Sequence, residues 1–189
     1  MLAATRTIDE AFEIFNRTDF LPPEQKDYAG LDLPLPIGHG QTISQPTTVR
    51  RMLEWLDIQP DDKILDIGSG SGWTTALMSH ITGPFGIVYA VERIKELLVF
   101  GSRNCQNLGI TNIHFLRADH DYGLPRIAPY NRILVSAEVS EIPVELINQL
   151  EPFGKMVIPV SGNVLEITRI SETEYETVIH PHYAFVPLV

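Results

Sequence analysis

The middle of the chain alternates short apolar runs with longer segments in which apolar residues recur every three or four positions. Five of the runs are typical of buried strands: 63–67, 86–92, 112–119, 131–137 and 155–160. Three of the longer segments are typical of helices: 72–81, 93–109 and 143–150. Strands that alternate with helices predict an α/β fold, with a mostly parallel central sheet and helices on both of its faces.

The end of the chain has a different pattern. Three apolar runs follow Gly162 without a helical segment between them: 164–170, 175–180 and 183–189. We expect these runs to form antiparallel strands that complete the sheet at one edge.

The N-terminal part predicts two helices joined by an irregular arm. Residues 7–16 and 46–56 each place their apolar side chains on one helical face, and the second helix begins at a proline, which the first turn tolerates. Between them, residues 19–46 contain five prolines and three glycines. Long loops of this kind inside a domain are uncommon and usually functional. We expect one domain over 1–189, made of the N-terminal helices and arm (1–60), a core (61–160) and C-terminal strands (161–189).

Composition and charge narrow the class of protein. The 189 residues include 14 basic and 24 acidic ones, and the formal charge of −10 argues against nucleic acid as the main partner. Cys105 is the single cysteine, so no internal disulfide forms. The N-terminus carries acidic residues where a signal peptide would be apolar, and no apolar run approaches the length of a membrane span. We therefore expect a cytoplasmic protein.

The segment LDIGSGSGW, residues 65–73, is the candidate ligand loop. It follows the first predicted core strand and opens a helix, which is where ligands bind in α/β sheets. Its glycines, Gly68, Gly70 and Gly72, let the backbone turn sharply and approach a ligand. The acid Asp66 precedes them, unlike the dinucleotide-binding pattern, and it disfavours a pyrophosphate beside the loop. The loop therefore suits a cationic or zwitterionic ligand, and the alternative is a tight turn without a ligand.

Two further acids end the next two strands. Glu92 ends the second, where a carboxylate can accept hydrogen bonds from a ribose diol, and Asp119 ends the third, where it can accept from an adenine amino group. Glu92 alone also fits a solvated glutamate at a helix start. Together with the loop they indicate a nucleoside with a cationic centre, which is S-adenosylmethionine, and hence a methyltransferase-type site.

With these residues in place, the sequence resembles the protein-L-isoaspartate O-methyltransferase family nearly end to end. The segment from Asn16 to Pro46 resembles the family's N-terminal arm, and TISQP within it is the most specific match. The resemblance implies a Rossmann-like class I methyltransferase fold and transfer of a methyl group from S-adenosyl-L-methionine to the α-carboxylate of isoaspartyl residues. The ester then cyclises to a succinimide that reopens partly as aspartate, which repairs damaged proteins. It implies isoaspartyl peptides or proteins as partners, and we expect a monomer.

The resemblance also assigns the site residues. Ser44 matches the family's active-site serine, on an arm that folds over the cofactor as a lid. The residues that match the acceptor cleft are Thr42, Ile43, Gln45, Val186, Pro187 and Leu188. Those that match the cofactor site are Asp66, Gly68, Ser69, Gly70, Ser71, Gly72, Glu92, Arg93, Asp119 and His120. An alternative role for Ser44 is to cap the helix that begins at Pro46. No metal is expected, because His180 and His182 lack a third ligand nearby.

Four residues depart from the family pattern. His120 replaces a glycine and is expected to contact or crowd the adenine, whereas Asn131 removes a charge expected near the switch point. Thr47 and Phe153 stand where a histidine or aromatic residue and a glycine are usual. These departures leave two alternatives open: a carboxyl methyltransferase for another acceptor, and a catalytically silent S-adenosylmethionine-binding module.

Overall fold

The computed structural model describes residues 6–188, which form two sheets. The strands are β1 (Leu35–Gly38), β2 (Gln41–Ile43), β3 (Lys63–Ile67), β4 (Ile87–Glu92), β5 (Ile113–Arg117), β6 (Tyr130–Val135), β7 (Leu150–Val160), β8 (Asn163–Arg169) and β9 (Tyr175–Pro181). β1 and β2 form a separate hairpin, and the other seven strands form one sheet in the order β5-β4-β3-β6-β7-β8-β9.

The large sheet has the predicted α/β topology. β3 to β7 are parallel, whereas β8 and β9 are antiparallel to their neighbours. After β5 the chain crosses back and places β6 on the other side of β3, with Ile64 opposite Arg132. This reversal of strand order opens a crevice at the carboxyl ends of β3 and β6, where ligands bind in such sheets.

The helices are distributed unevenly over the two faces. They are α1 (Ile8–Ile14), α2 (Pro46–Leu56), α3 (Trp73–Thr82), α4 (Lys95–Asn107) and the one-turn α5 (Val144–Ile147). Buried residues of α1 to α4 share a core with Ile64 of β3, whereas those of α5 share the opposite core with Leu65. Successive side chains of a strand point to opposite faces, so one strand serves both cores. The prediction of helices on both faces is confirmed, although one face carries four of the five described α-helices.

The arm contains more regular structure than its prolines indicate. It has two 3₁₀ helices (Arg17–Phe20 and Pro23–Tyr28), followed by the β1–β2 hairpin. The hairpin turns through Gly38, His39 and Gly40, which all have positive φ. The prediction of a wholly irregular arm is therefore wrong, because a two-stranded ribbon tolerates Pro36 on its exposed side.

Two further predictions differ from the structure. The predicted helix 143–150 is only one turn long, since the carbonyl of Gln149 accepts from the amide of Tyr130 and draws the chain into the sheet. The last apolar run, 183–189, is not a strand in its described part. It returns to the carboxyl end of β6, where Glu138 and Pro187 form an isolated bridge.

Within residues 6–188, no helix combines the length and the apolar character needed to cross a membrane.

Candidate functional site

The glycine loop joins β3 to α3 at the switch point. The amide of Gly68 donates to the carbonyl of Val91 at 2.9 Å, which fixes the loop to the neighbouring strand. Gly72 has a φ of +84°, and a Cβ there would lie 2.9 Å from the carbonyl oxygen of Gly101. Glycine at this position therefore lets α3 and α4 approach each other closely.

Glu92 supports the same loop from the end of β4. Its side chain is buried, one carboxylate oxygen accepts from the amide of Gly70 at 3.0 Å, and the other accepts from the amide of Ile94 at 2.8 Å. A carboxylate oxygen has two lone pairs, so each oxygen keeps the capacity for a further hydrogen bond. The loop and the acid thus form one preorganised wall.

Asp66 lies beneath the loop rather than at its surface. It is fully buried and accepts from the Thr75 hydroxyl at 2.5 Å, and within residues 6–188 its Oδ1 has no hydrogen-bond partner. The pKa of Asp66 is raised to about 7, chiefly by burial, with a smaller contribution from the charge of Glu92, while the Thr75 hydrogen bond acts in the opposite direction. Asp66 therefore contacts α3 through Thr75 beneath the loop, and any effect on a ligand would pass through the loop.

The arm forms the opposite wall of a small cavity, which we call the central cavity. It has a volume of about 100 Å³, and Ile37 of β1 and Ser44 face the loop glycines across it. A Cβ at Gly70 would lie 3.2 Å from Cδ1 of Ile37, so the arm packs directly on the loop. Apolar contact between Ile37 and the loop thus borders one side of the central cavity.

Two larger cavities adjoin the central one. The outer cavity, about 740 Å³, shares Arg93 and Ala118 with it and is lined by Asp119 and His120. The arm cavity, about 260 Å³, lies on the other side. Four residues line both the arm cavity and the central cavity: Thr42, Ser44, Ser136 and Val186. Ser44 therefore lies at the border between the two spaces.

The structure gathers most of the predicted site residues around these spaces. The central cavity is lined by Thr42, Ile43, Ser44, Gly68, Ser69, Gly70, Ser71, Glu92, Arg93, Val186, Pro187 and Leu188. Gln45 lines only the arm cavity, and Asp119 and His120 line only the outer one. Asp66 and Gly72 line none of the three, and Asp119 lies two residues beyond the end of β5 rather than ending it.

Several residues of the cavity walls were not predicted from the sequence, and Ser136 and Ile37 are the two that matter most for the geometry. Ser136 directly follows β6, so its position at the end of a switch-point strand was the available signal. Ile37 left no such signal, because it lies in a hairpin that the prolines concealed.

The alternative role of Ser44 as a helix cap is wrong. The cap residue of α2 is Gln45, and its side chain makes no capping hydrogen bond. Asp32 supplies the cap instead, since it accepts from the amide of Thr47 at 2.9 Å and from its hydroxyl at 2.7 Å. These hydrogen bonds, with a further one from Gln45, lower the pKa of Asp32.

Arg17 holds the arm from inside. It is 5% exposed. Its guanidinium donates to backbone carbonyls before β1 and at the end of β2, including that of Ser44 at 2.9 Å. Burial lowers the pKa of Arg17 to about 10, an effect that the charge of Asp32 opposes. The group therefore stays charged at neutral pH.

The departures from the family pattern fall mostly outside the cavities. Asn131 lies at the amino end of β6, where its side chain accepts from the amide of Lys63 at 2.6 Å and donates to Glu151. Asn131 thus lies at the opposite end of the sheet from the switch-point crevice. The prediction that it removes a charge near the switch point is therefore wrong. Phe153 is exposed with a φ of +63°, a conformation that favours glycine. His120 alone lines a cavity.

The model of the protein-L-isoaspartate(D-aspartate) O-methyltransferase family matches residues 2–189. The chain belongs to this family. The resemblance found in the arm and the glycine loop is thereby confirmed.

Relatives within the protein-L-isoaspartate O-methyltransferase family match over most of the chain. The Aeropyrum pernix enzyme is 45% identical over 172 residues, which cover 90% of this chain and 66% of the relative. The Fervidobacterium nodosum enzyme is 40% identical over 187 residues, which cover 97% of this chain and 94% of the relative. The chain thus spans part of the first relative and almost all of the second.

Solved structures agree with the fold. A protein-L-isoaspartate O-methyltransferase is 27% identical with a TM-score of 0.87, over 96% of this chain and 61% of that one. A Plasmodium falciparum protein of the same description, solved in complex with S-adenosyl-L-homocysteine, has a TM-score of 0.80 at 24% identity. The match covers 100% of this chain and 92% of the Plasmodium falciparum chain. The second likeness is one of fold.

Proposed function

We infer that this protein is an S-adenosyl-L-methionine-dependent methyltransferase that esterifies the α-carboxylate of L-isoaspartyl residues in damaged proteins or peptides. Family membership and the shared name of the relatives favour this reaction over another acceptor or a silent module. The observation that carries the proposal is the position of Ser44 at the border between the central cavity and the arm cavity.

The residues of the central cavity fit the cofactor. Gly68 presents no Cβ, and the nearest atom to one built there is Cβ of Ser136 at 3.9 Å, so the backbone is open to close approach. The buried Ser69 hydroxyl has no partner in the described protein, and both Glu92 oxygens retain acceptor capacity. These groups suit an amino acid and a ribose diol, and no phosphate is needed. When bound, the cofactor supplies an electrophilic methyl group on a sulfonium.

The protein has little proton chemistry to perform. A carboxylate acceptor is already ionised at neutral pH, so the site has to orient it and exclude water. Ser44 lines both cavities and supplies a hydroxyl that orients the acceptor without adding negative charge. Thr42 and Val186, which line the same border, limit the approach of the acceptor to one path.

The decisive experiment is a methyl-transfer assay with labelled cofactor. An isoaspartyl peptide is compared with its aspartyl twin of the same sequence, which differs only in the backbone linkage. We expect label only in the isoaspartyl peptide, as a base-labile ester. Equal labelling of both peptides, or of neither, would contradict the assigned acceptor.

We further propose that the protein acts as a cytoplasmic monomer without a nucleic-acid partner. The single cysteine fits a reducing compartment, and the charge of −10 disfavours a nucleic-acid partner. Light scattering on a sizing column measures the mass in solution, and a species of twice 21.2 kDa would contradict the monomer.

A further inference from the structure

The most unusual buried group outside the cavity walls is the guanidinium of Arg17. In the described part of the chain it forms no ion pair with a carboxylate. Its partners are instead backbone carbonyls of the arm. Burying an unpaired cation costs free energy, and a cluster of carbonyl dipoles offsets that cost only if the carbonyls are held around it.

The two amino groups of Arg17 join two stretches of the arm. Nη1 donates to the carbonyl of Leu31 at 2.9 Å, and Nη2 donates to that of Leu33 at 2.6 Å. Nη2 also donates to the carbonyls of Ile43 at 3.3 Å and Ser44 at 2.9 Å. One side chain thus fixes the backbone on which the Ser44 hydroxyl is mounted.

Arg17 also fixes the arm to the opposite wall of the central cavity, which the glycine loop, Glu92 and the start of α3 form and which we call the cofactor wall. Its guanidinium carbon lies 5.6 Å from the ring centroid of Trp73, the first residue of α3, and Trp73 lines the central cavity. The indole N–H of Trp73 donates to the carbonyl of Phe15 at 3.0 Å. This hydrogen bond ties the segment just before Arg17 to the same ring. The distance between the two walls is therefore set partly through this one contact.

We propose that Arg17 is a positioning residue for methyl transfer, whose guanidinium holds the backbone of Ser44 at a fixed place relative to Trp73. This inference rests on the proposed function, in which the Ser44 hydroxyl orients the acceptor. Lysine cannot replace the planar fork, because a single ammonium does not reach two stretches of carbonyls in fixed geometry. A displacement of about 1 Å at a reacting group lowers turnover by up to about 10²-fold.

A double-mutant cycle tests the inference. The four proteins are the wild type, Arg17→Lys, Ser44→Ala and the double variant, with turnover per folded molecule measured on an isoaspartyl peptide at saturating cofactor. If Arg17 acts through Ser44, Arg17→Lys lowers turnover by about tenfold or more in the wild-type background and by less than about twofold in the Ser44→Ala background. The KM for the cofactor stays the same in both.

Two additional variants keep the test decisive. Arg17→Met removes the buried charge but retains the packing on Trp73, and it replaces Arg17→Lys if that protein does not fold. Arg50→Met is the matched control, because Arg50 also ties α1 to α2, through Asp9 and the ring of Phe12, without contacting Ser44. We expect Arg50→Met to lower the melting temperature and to leave turnover within about twofold.

Each remaining outcome overturns a defined part of the inference. If the Arg17 substitution lowers turnover equally in both backgrounds, the arm is loosened in general and Arg17 does not act through Ser44. The same conclusion follows if Arg50→Met lowers turnover in a way that depends on Ser44. Either result overturns the positioning role of Arg17 and leaves the role of Ser44 intact. If Ser44→Ala itself leaves turnover unchanged, the role of Ser44 falls and the Arg17 inference falls with it. Methylation of the isoaspartyl peptide by the wild type reports on the proposed function independently of both.

Discussion

The two walls of the central cavity are built in different ways. The cofactor wall is formed by consecutive residues between β3 and α3, anchored to a neighbouring strand through Val91 and Glu92. The arm wall is formed by a short hairpin that side chains hold against the glycine loop and α3, chiefly Ile37 of the hairpin and Arg17 of the first 3₁₀ helix. The first wall is therefore rigid by backbone hydrogen bonding, whereas the second depends on a few replaceable contacts. We expect substitutions in the first to change affinity and stability, and substitutions in the second to change turnover.

The largest effect is expected from Glu92→Ala in the cofactor wall. If Glu92 binds the ribose as proposed, the substitution removes two charge-assisted hydrogen bonds, each worth about 1.5–3 kcal/mol, so cofactor affinity should fall by at least about 100-fold. Calorimetry with S-adenosylhomocysteine measures it. Glu96→Ala, at an exposed acid in the first turn of α4, is the control and should bind normally. Unchanged affinity in folded Glu92→Ala protein would remove the assignment.

In the arm wall, Ser44→Ala should lower turnover by up to about 10²-fold while cofactor affinity changes little. The melting temperature should also stay the same, because the Ser44 side chain caps no helix. Measuring turnover and melting on one preparation separates catalysis from stability. Wild-type turnover in a stable Ser44→Ala protein would end the catalytic assignment.

A stability effect of the next size is expected from Gly72→Ala. The new Cβ would lie 2.9 Å from the carbonyl oxygen of Gly101 and 3.1 Å from Sγ of Cys105, at a φ of +84°. Backbone strain costs about 1–2 kcal/mol, and the contacts add to it. The matched control is Gly109→Ala, which has a φ of +70° and open space around it. Chemical denaturation should show a clearly larger loss at position 72, and equal losses would exclude close packing as the cause.

The buried Asp66 predicts how stability depends on pH. Its pKa is raised from 3.8 to about 7, so the folded protein binds more protons than the unfolded chain between these values. Stability from this group is therefore lost as pH rises from about 4 to about 7. In Asp66→Asn, the free energy of unfolding should vary less steeply with pH over that window. An unchanged slope would show that the carboxyl titrates at its ordinary pKa when folded.

The smallest effect is expected from His120→Gly, at the rim of the outer cavity. If the ring contacts or crowds the adenine, restoring the glycine usual in the family should change cofactor affinity by a few-fold, consistent with a rim contact worth about 1 kcal/mol or less. Calorimetry beside the Glu92 variant measures both on one scale. If affinity and turnover both stay the same, His120 points away from the cofactor.

The cofactor wall was predictable from sequence, and most of the arm wall was not. Gly68, Gly70 and Glu92 follow apolar strands, so local pattern and strand order suffice to bring them together. Arg17 contacts backbone carbonyls, and every residue type has one, so the sequence does not show which residues accept from Arg17. The hairpin was hidden for a related reason, since the prolines that mark a loop also fit an exposed strand edge. Recognition of TISQP placed Ser44 where residue pattern alone did not.

The position of Trp73 gives the protein an internal optical probe. It is one of two tryptophans, and it lines the central cavity beneath the arm, whereas Trp55 stacks on His180 at 3.7 Å, away from all three cavities. Indole emission responds to local polarity and to neighbouring charge, so a cationic ligand that enters the cavity should shift the spectrum of Trp73 and leave that of Trp55 unchanged. In a Trp55→Phe background, a fluorescence titration would therefore follow cofactor entry in real time, without a label on either molecule.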